Sequence, residues 1–226
     1  MIKNYLLIKQ TTKLVKKVKK KNFFNHISLK VSQKMLPLSN EFIVYMEYIK
    51  TEIDGLWIIE PLVFKDERGY FMESYKRAEF EQKIGKVDFI QDNESQSSYG
   101  VFRGFHYQEG EAAKAKLVRA IQGKVWDIAI DIRKGSATFG KYVAVELSGE
   151  NKRQFFIPRG FAHGFLVLSE TAVFSYKVDN IYSPLQERTL NCMDSDLAIQ
   201  FPIDMSSLLL SEKDRVGKRL KEIERI

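Results

Sequence analysis

The sequence predicts an all-β domain, either an antiparallel sandwich or a barrel. From about residue 56 onward, around ten short apolar segments recur at regular spacing, separated by turn residues such as Gly123 and Gly149. Aromatic residues, which favour strands, are abundant, with 16 Phe and 10 Tyr against only 5 Pro. Long helical patterns do not alternate with these segments, so a doubly wound α/β fold is not expected.

The predicted strands are defined by a period of two in their apolar residues. In V-W-D-I-A-I-D, Trp126, Ile128 and Ile130 fall on one face. The valines of Y-V-A-V-E-L at 142–147 likewise share a face with Leu147. In chain order, the predicted strands cover residues 56–63, 69–74, 87–94, 101–107, 117–121, 125–131, 142–147, 155–157, 161–168, 172–178 and 189–192.

Two helices are predicted beside the strands. The first is a short helix over residues 76–84, ended by Gly85. The second is a C-terminal helix over residues 211–223, which opens with S-E-K-D, a start similar to a capping box. Its apolar residues from Val216 onward fall on one stripe, as they do in a helix with one buried face.

Positive charge is concentrated in the first 45 residues. The chain carries a net charge of +7, and residues 1–45 carry +9 from ten lysines and one acid, Glu41, which leaves −2 for residues 46–226. We expect residues 1–45 to be a disordered extension, because the lysines repel one another and little apolar surface is available for burial. Met46 would then begin the folded domain at 46–226.

The extension also admits functional interpretations. Its lysine run K-L-V-K-K-V-K-K-K at 13–21 could tether the protein to a nucleic acid or an anionic membrane. Nucleic-acid binding is not expected, because no second basic patch or stacked aromatic platform follows downstream. The apolar stretch F-I-V-Y at 42–45 could instead add an edge strand to the domain.

Simple counts disfavour several classes of protein and site. No apolar stretch reaches the ~18–20 residues of a membrane-spanning helix, and no membrane partner is expected. Cys192 is the only cysteine, which excludes an intrachain disulfide and zinc sites built on several thiolates, and which suits a reduced, cytoplasmic setting. The body contains two histidines, His106 and His163, without an H-x-H pair, so no metal site is expected.

The strongest functional signal is a set of motifs that occur in a fixed order along the body. They are F-K-D-E-R-G-Y-F-M-E-S at 64–74, Q-D-N-E-S at 91–95, R-G-F-H-Y-Q at 103–108, K-L-V-R at 116–119, D-I-R-K-G-S-A-T-F-G at 131–140, I-P-R-G-F-A-H-G-F at 157–165 and S-E-K-D at 211–214. Each motif alone is modest, but the ordered set closely resembles the dTDP-4-dehydrorhamnose 3,5-epimerase family over about residues 48–215. The resemblance implies a cupin-type jelly roll, or double-stranded β-helix, that works without a cofactor.

The resemblance also implies a reaction and four catalytic residues. The family epimerises a nucleotide-linked 4-keto-6-deoxy sugar at the two carbons beside the ketone, here expected to convert dTDP-4-dehydro-6-deoxy-D-glucose to dTDP-4-dehydro-L-rhamnose in dTDP-rhamnose biosynthesis. His106 matches the base that removes an α-proton, and Asp214 matches the carboxylate that orients this base. Lys116 matches the cation beside the enolate oxygen, and Tyr176 matches the acid on the opposite face.

Each of these residues also has an ordinary structural interpretation. Tyr176 could simply close the core, and Lys116 could be a charge at a strand edge. Asp214 could cap the last helix. Only the family resemblance favours the catalytic roles over these alternatives.

A second group of residues matches contacts to the nucleotide or the sugar. Strand alternation places Arg103 and His106 on opposite faces, because three positions separate them. Either Gly104 forms a bulge that brings them to one face, or Arg103 reaches a different site across a subunit boundary. The residues implied in substrate binding are Arg68, Glu73, Gln91, Asn93, Arg103, Lys116, His163, Glu187 and Lys213.

The resemblance implies a homodimer and leaves related functions open. A relative could epimerise only one carbon, or act as a ketoisomerase on another nucleotide sugar. A non-catalytic sugar-binding cupin is a third possibility, but such a protein is expected to have lost the base or the acid. The sequence leaves the nucleotide preference open.

Overall fold

The computed structural model describes residues 36–38, 41–43 and 46–223, with side chains from residue 46 onward. The chain divides into two units, 1–45 and 46–226. In the first unit, β1 (Leu36–Leu38) and β2 (Glu41–Ile43) form an antiparallel hairpin. Residues 42–43 of the stretch F-I-V-Y therefore lie in a strand that pairs with β1. Disorder is predicted for residues 1–45, and apart from this hairpin that prediction lies outside the described residues.

Thirteen described strands make up the second unit, and the all-β prediction is confirmed. They are β3 (Glu47–Lys50), β4 (Trp57–Glu60), β5 (Phe64–Asp66), β6 (Gly69–Phe71), β7 (Gln91–Ser98), β8 (Phe102–Gln108), β9 (Lys116–Gln122), β10 (Lys124–Asp131), β11 (Tyr142–Ser148), β12 (Gln154–Ile157), β13 (Phe161–Val167), β14 (Thr171–Val178) and β15 (Glu187–Thr189). A six-stranded sheet has the order β3-β4-β12-β9-β14-β7, and a five-stranded sheet has the order β11-β10-β13-β8-β15. Strands β5 and β6 form a separate hairpin.

Helices are short in this unit. The helix predicted over 76–84 is confirmed as α1 (Arg77–Lys83), and near the C-terminus lies α2 (Glu212–Arg215). Within the described residues, no helix has the length and apolar character needed to cross a membrane. Single 3₁₀ turns occupy Gly110–Ala112, Pro184–Gln186, Ser195–Leu197, Met205–Ser207 and Leu220–Glu222.

The prediction of a C-terminal helix over 211–223 is wrong about its length, because the helix ends at Arg215. The backbone beyond α2 leaves the helical path, and the Lys218 carbonyl accepts a hydrogen bond from the Asn191 N–H. Gly217 permits this approach, because a Cβ there would lie 2.7 Å from the Asn191 backbone nitrogen. Val216, which the predicted stripe would bury, is 80% exposed. Pairing with a neighbouring segment thus replaces the helical hydrogen bonds that the sequence pattern suggested.

The two sheets face each other across an apolar core. The shared face predicted for Val143, Val145 and Leu147 is confirmed, since all three are buried in this core. Ile128 and Ile130 lie in a second cluster, together with buried residues of the C-terminal segment. The five-stranded sheet is therefore covered on both faces.

The inner faces also carry polar side chains. Because side chains alternate across a strand, Lys116 points to the same side as buried Val118. On β10, Asp127 lies between Val125 and Ala129, which both belong to the core between the sheets. The alternation that builds the apolar core therefore also places ionisable groups between the sheets.

A bulge at Gly104 brings Arg103 and His106 to the same face. His106 pairs with His163 and Arg103 pairs with Phe165, so one extra residue of β8 lies between the two pairs. Gly104 adopts a φ of +145°, and a Cβ there would lie 2.5 Å from the Gly164 Cα. Of the two alternatives left by the sequence, the bulge is the one observed.

Asp131, at the end of β10, organises the following turn through ionic hydrogen bonds. Burial opposes its ionisation, but hydrogen bonds from Arg133, Ser136 and Thr138 prevail and lower its pKa to about 2.

We expect Asp131→Asn to destabilise the fold by roughly 2 kcal/mol at pH 7. The difference should shrink as the pH falls from about 4 towards 2, because the native carboxylate then becomes protonated. Urea unfolding at pH 7 and pH 3 measures it, with the exposed Asp196→Asn as control, and a loss that is equal at both pH values would contradict the ionic account.

Candidate active site

A cavity of about 380 Å³ lies between the inner faces of the two sheets. Strands β7, β9 and β14 contribute to one wall, and β8 and β15 contribute to the other. Six of the residues predicted from the sequence line it directly. The lining residues are Gln91, Asn93, His106, Tyr107, Gln108, Lys114, Lys116, Gly160, Phe161, Tyr176, Val178, Tyr182 and Glu187.

His106 and Asp214 form a hydrogen-bonded pair at this cavity. The His106 Nε2 lies 2.6 Å from Asp214 Oδ1, although the two residues are 108 positions apart in the chain. Because a carboxylate only accepts, Nε2 carries the proton, and Nδ1 of the neutral ring keeps its lone pair. The imidazole is thus held in the tautomer in which Nδ1 is the basic nitrogen.

The short helix α2 fixes the carboxylate of this pair. Ser211 caps the helix by accepting from the Asp214 N–H, and its hydroxyl donates to Asp214 Oδ2 at 2.8 Å. Burial works against ionisation of Asp214, but the hydrogen bonds from His106 and Ser211 outweigh it and lower the pKa of the carboxyl. Ser211, rather than Asp214, is therefore the capping residue, and Asp214 remains an anion directed at the imidazole.

Lys116 extends from β9 into the same cavity. Its Nζ lies 3.3 Å from His163 Nδ1, and His163 in turn contacts Asp127. Burial lowers the pKa of Lys116 to about 8, while the negative charge of Asp127 acts in the opposite direction. The cavity thus contains an amine that is mostly an ammonium at neutral pH and whose charge is only partly solvated.

Tyr176 belongs to β14 and stands on the wall opposite His106. It packs against the inter-sheet core, as the structural interpretation expected, and also lines the cavity. Burial raises the pKa of its phenol, while the positive charge of Arg103 lowers it. Arg103 is held beside the cavity by a hydrogen bond of 2.9 Å from its Nε to the Ser97 hydroxyl. The phenol is therefore a protonated donor at neutral pH.

Polar residues at the cavity edge are paired with one another. On β7, the Gln91 amide donates to Asn93 Oδ1 at 2.7 Å. Across the cavity, Glu187 accepts from the Tyr182 hydroxyl at 2.7 Å and forms an ion pair with Lys213. These side chains supply donors and acceptors for a polar ligand.

Of the predicted ligand residues that do not line the cavity, two also lack a described contact with its surroundings. The Arg68 side chain, in the turn between β5 and β6, is 85% exposed and forms an ion pair with Asp66. Glu73 follows β6, and its carboxylate lies 3.7 Å from the Lys76 ammonium. Within one chain, the structure therefore leaves Arg68 and Glu73 apart from the other predicted residues.

Several residues of the site were not identified from the sequence. Asp127 contacts His163, Ser97 holds Arg103, and Ser211 holds Asp214. A signal for Asp127 was present, because Val125 and Ala129, two positions to either side, are apolar, and a carboxylate on a buried face is costly unless it has a partner. Ser97 carried no such signal. The capping-box-like S-E-K-D indicated Ser211 as a helix cap, but not as a partner of the Asp214 carboxylate.

The arrangement provides the groups needed for proton transfer next to a carbonyl. An imidazole and a phenol stand on facing walls, and an ammonium lies between the sheets beside them. A cation near a developing enolate oxygen lowers the cost of removing an adjacent proton. Among the residues that the structure describes, no group of three or more His, Cys, Asp or Glu side chains is placed to hold a metal ion.

Comparisons with known proteins point to one family. The family model described as dTDP-4-dehydrorhamnose 3,5-epimerase matches residues 50–222. A protein of that name from Shigella flexneri is 54% identical over 175 residues, which cover 77% of this chain and 96% of the relative. The crystal structure of dTDP-4-dehydrorhamnose 3,5-epimerase from Elizabethkingia anophelis is similar with a TM-score of 0.76 at 53% identity, covering 78% of this chain and 97% of that chain.

A third comparison involves a bound sugar nucleotide. The dTDP-6-deoxy-D-glucose-3,5-epimerase from Legionella pneumophila was solved in complex with dTDP-4-keto-L-rhamnose. It is 49% identical to this chain with a TM-score of 0.77, and the match covers 80% of this chain and 95% of that chain.

Proposed function

Because the chain belongs to the dTDP-4-dehydrorhamnose 3,5-epimerase family, we propose that it converts dTDP-4-dehydro-6-deoxy-D-glucose to dTDP-4-dehydro-L-rhamnose in dTDP-rhamnose biosynthesis. The observation that carries the proposal is the position of a histidine base and a tyrosine acid on facing walls of one cavity. A sugar ring bound between them would have its two faces exposed to different proton-transfer groups. Inversion at a carbon needs loss of a proton from one face and return of a proton to the other, which this arrangement can supply.

His106 begins the reaction by removing a proton from a carbon beside the ketone. The proton moves to Nδ1, and Asp214 stabilises the resulting imidazolium through the Nε2 hydrogen bond. The electrons of the broken C–H bond form a C–C double bond, and the carbonyl electrons move to the oxygen. Lys116 stabilises the resulting enolate oxygen as an ammonium.

Tyr176 completes the inversion from the opposite face. Its phenol gives a proton to the enolate carbon, the C–C double bond electrons form the new C–H bond, and the ketone is restored. Exchange with solvent removes the proton from His106 and returns one to Tyr176. The same cycle at the second flanking carbon gives the doubly inverted product.

The proposal is tested by turnover of the 4-keto sugar nucleotide followed by NMR. We expect a product inverted at both carbons flanking the ketone. A product inverted at one carbon would favour a single-carbon epimerase, and movement of the ketone would favour a ketoisomerase. Binding without turnover would favour a sugar-binding cupin.

We also propose that the enzyme is a cytoplasmic homodimer in which the partner subunit supplies Arg68 and Glu73 to the site. Both residues lie on or beside the β5–β6 hairpin, away from their own cavity. The hairpin also exposes Tyr70 and Phe71, and a second copy is the surface that would cover these rings. The single, buried Cys192 suits a reducing compartment.

We propose further that residues 46–226 form the whole catalytic domain. The family match begins at residue 50, and the Shigella flexneri relative is matched over 96% of its length by 77% of this chain. Met46 is buried, and its N–H donates to the buried carboxylate of Glu79 at 3.0 Å. If Met46 were the first residue, its ammonium would make a stronger, charge-assisted bond to the same carboxylate.

A chain that begins at Met46 is therefore expected to fold, dimerise and turn over like the full chain. It should lose salt-sensitive affinity for polyanions, because that affinity depends on the lysines of the extension. Thermal unfolding, light scattering and the turnover assay measure these properties. A chain beginning at Asp54, which lacks β3, is the comparison expected to be less stable. Loss of folding or activity in the chain beginning at Met46 would make residues 1–45 structural.

A further inference from the structure

We propose that Asp127 is a positioning residue for Lys116, acting through His163 to keep the lysine an ammonium directed at the cavity. The inference rests on the proposed function for its catalytic consequence. Asp127 does not line the cavity, and its side chain is fully buried in the middle of β10. A carboxylate in such a place is strongly destabilising unless hydrogen bonds and charge compensate it.

The compensation comes from His163. Both carboxylate oxygens of Asp127 lie near His163 Nε2, at 3.0 and 3.1 Å, so this nitrogen must be the donor. Burial lowers the pKa of His163, which favours the neutral ring with a single N–H. Nδ1 then carries a lone pair and accepts a hydrogen bond from the Lys116 ammonium 3.3 Å away. The three side chains form a hydrogen-bonded series, from Lys116 through His163 to Asp127, in which every donor meets an acceptor.

The donor and acceptor roles of the two His163 ring nitrogens depend on Asp127. If Asp127 is replaced by an asparagine, the amide NH₂ can donate to Nε2, which moves the ring proton to Nδ1. The Nδ1–H would then face the Lys116 ammonium, and donor would meet donor. Even with the original tautomer, the negative charge that faces Lys116 would be lost.

The charge matters because Lys116 is close to losing its proton. Burial favours the neutral amine, and among the charges that act on Lys116 the opposing effect of Asp127 is the largest. Without Asp127, the lysine would be deprotonated over more of the neutral range, and a neutral amine stabilises an enolate less. The other ionisable groups that face this assembly are Glu187 of β15, Lys213 of α2, Lys114, His106 of β8 and Tyr176 of β14.

The first test is the pH dependence of kcat in Asp127→Asn. We expect the alkaline decline of kcat to move to lower pH by about one unit, and kcat at pH 8 to fall about fivefold, because the ammonium fraction of Lys116 falls by that factor. Glu146→Gln is the matched control, because Glu146 lies exposed on neighbouring β11 and pairs with Lys124 of β10. An equal loss of kcat at every pH, with an unmoved alkaline decline, would overturn the proposal.

The second test does not depend on turnover or on the variant folding. Nitrogen-15 NMR of His163 in the wild-type protein reports which ring nitrogen is protonated. We expect a protonated Nε2 and an unprotonated Nδ1 near neutral pH, whereas the opposite tautomer would overturn the proposal. If the protein proved not to be an epimerase, this measurement would still show whether Asp127 sets the tautomer of His163. The failure of one proposal is therefore distinguishable from the failure of the other.

Discussion

His106→Asn is expected to lower turnover by about three orders of magnitude or more and to abolish solvent deuterium exchange at both carbons flanking the ketone. The asparagine amide can still donate to Asp214, but it cannot accept a proton at neutral pH. Nucleotide binding should change little, because the substitution removes neither the cations nor the polar residues at the cavity edge. NMR of the substrate in deuterated water measures the exchange directly.

Titration of the His106→Asn protein with dTDP provides the control for this result. Affinity close to that of the wild-type protein, together with lost exchange, assigns the defect to proton removal. Exchange at the wild-type rate would remove His106 from the role of base. Among the described residues, His163 is the only other histidine, and its Nε2 and Nδ1 are both engaged with Asp127 and Lys116.

Tyr176→Phe is expected to separate the two proton transfers. The base remains intact, so deuterium exchange should persist, while formation of the doubly inverted product should fall by about two to three orders of magnitude. The phenyl ring keeps the packing against the inter-sheet core, and the fold should therefore be preserved. The ratio of exchange to epimerisation, measured in one NMR experiment, gives the result.

Tyr142→Phe is a suitable control for the loss of one phenol. Tyr142 begins β11 and packs against the second apolar cluster, away from the residues that line the cavity. If Tyr176→Phe epimerised both carbons as fast as the wild-type protein, Tyr176 would be only a core residue. That outcome would leave the acid on the second face unassigned.

The positions of most strands along the chain could be predicted because most of them bury one face. Alternation in β10 and β11 was clear, since the predicted face of β11 packs in the inter-sheet core and that of β10 packs in the second apolar cluster. The first strands were harder to recognise: β3, with the sequence E-Y-I-K, was missed. Strand β7 begins at Gln91 rather than at residue 87, and its Q-D-N-E-S-Q-S-S sequence carries no apolar alternation. Both are edge strands, where burial constrains the sequence less.

The C-terminal region shows the limit of periodicity. The stripe from Val216 onward matched a helix, but the pattern could not reveal that the backbone near Lys218 pairs with the segment at Asn191. Such pairing is a contact between segments distant in sequence, and it satisfies the same backbone groups that a helix would satisfy. Local sequence therefore supported two conformations, and tertiary contacts selected one.

The site residues that could be predicted are those that match the motifs or residues of the family. The motif residues His106 and Lys116 converge on one cavity with Tyr176, which the family resemblance implied, and the bulge at Gly104 explains how Arg103 joins them. The supporting contacts were not predictable, because Asp127 acts on His163 from a different strand. Spatial neighbours of this kind are set by sheet order and register rather than by spacing in the chain.

The central claim is that this protein removes and returns protons at both carbons beside the ketone. The most direct measurement is incubation of the wild-type enzyme with dTDP-4-dehydro-6-deoxy-D-glucose in deuterated water, followed by NMR of both positions. The account predicts deuterium at both flanking carbons, with both configurations inverted in the product. Exchange at neither carbon, or at one carbon only, would contradict it.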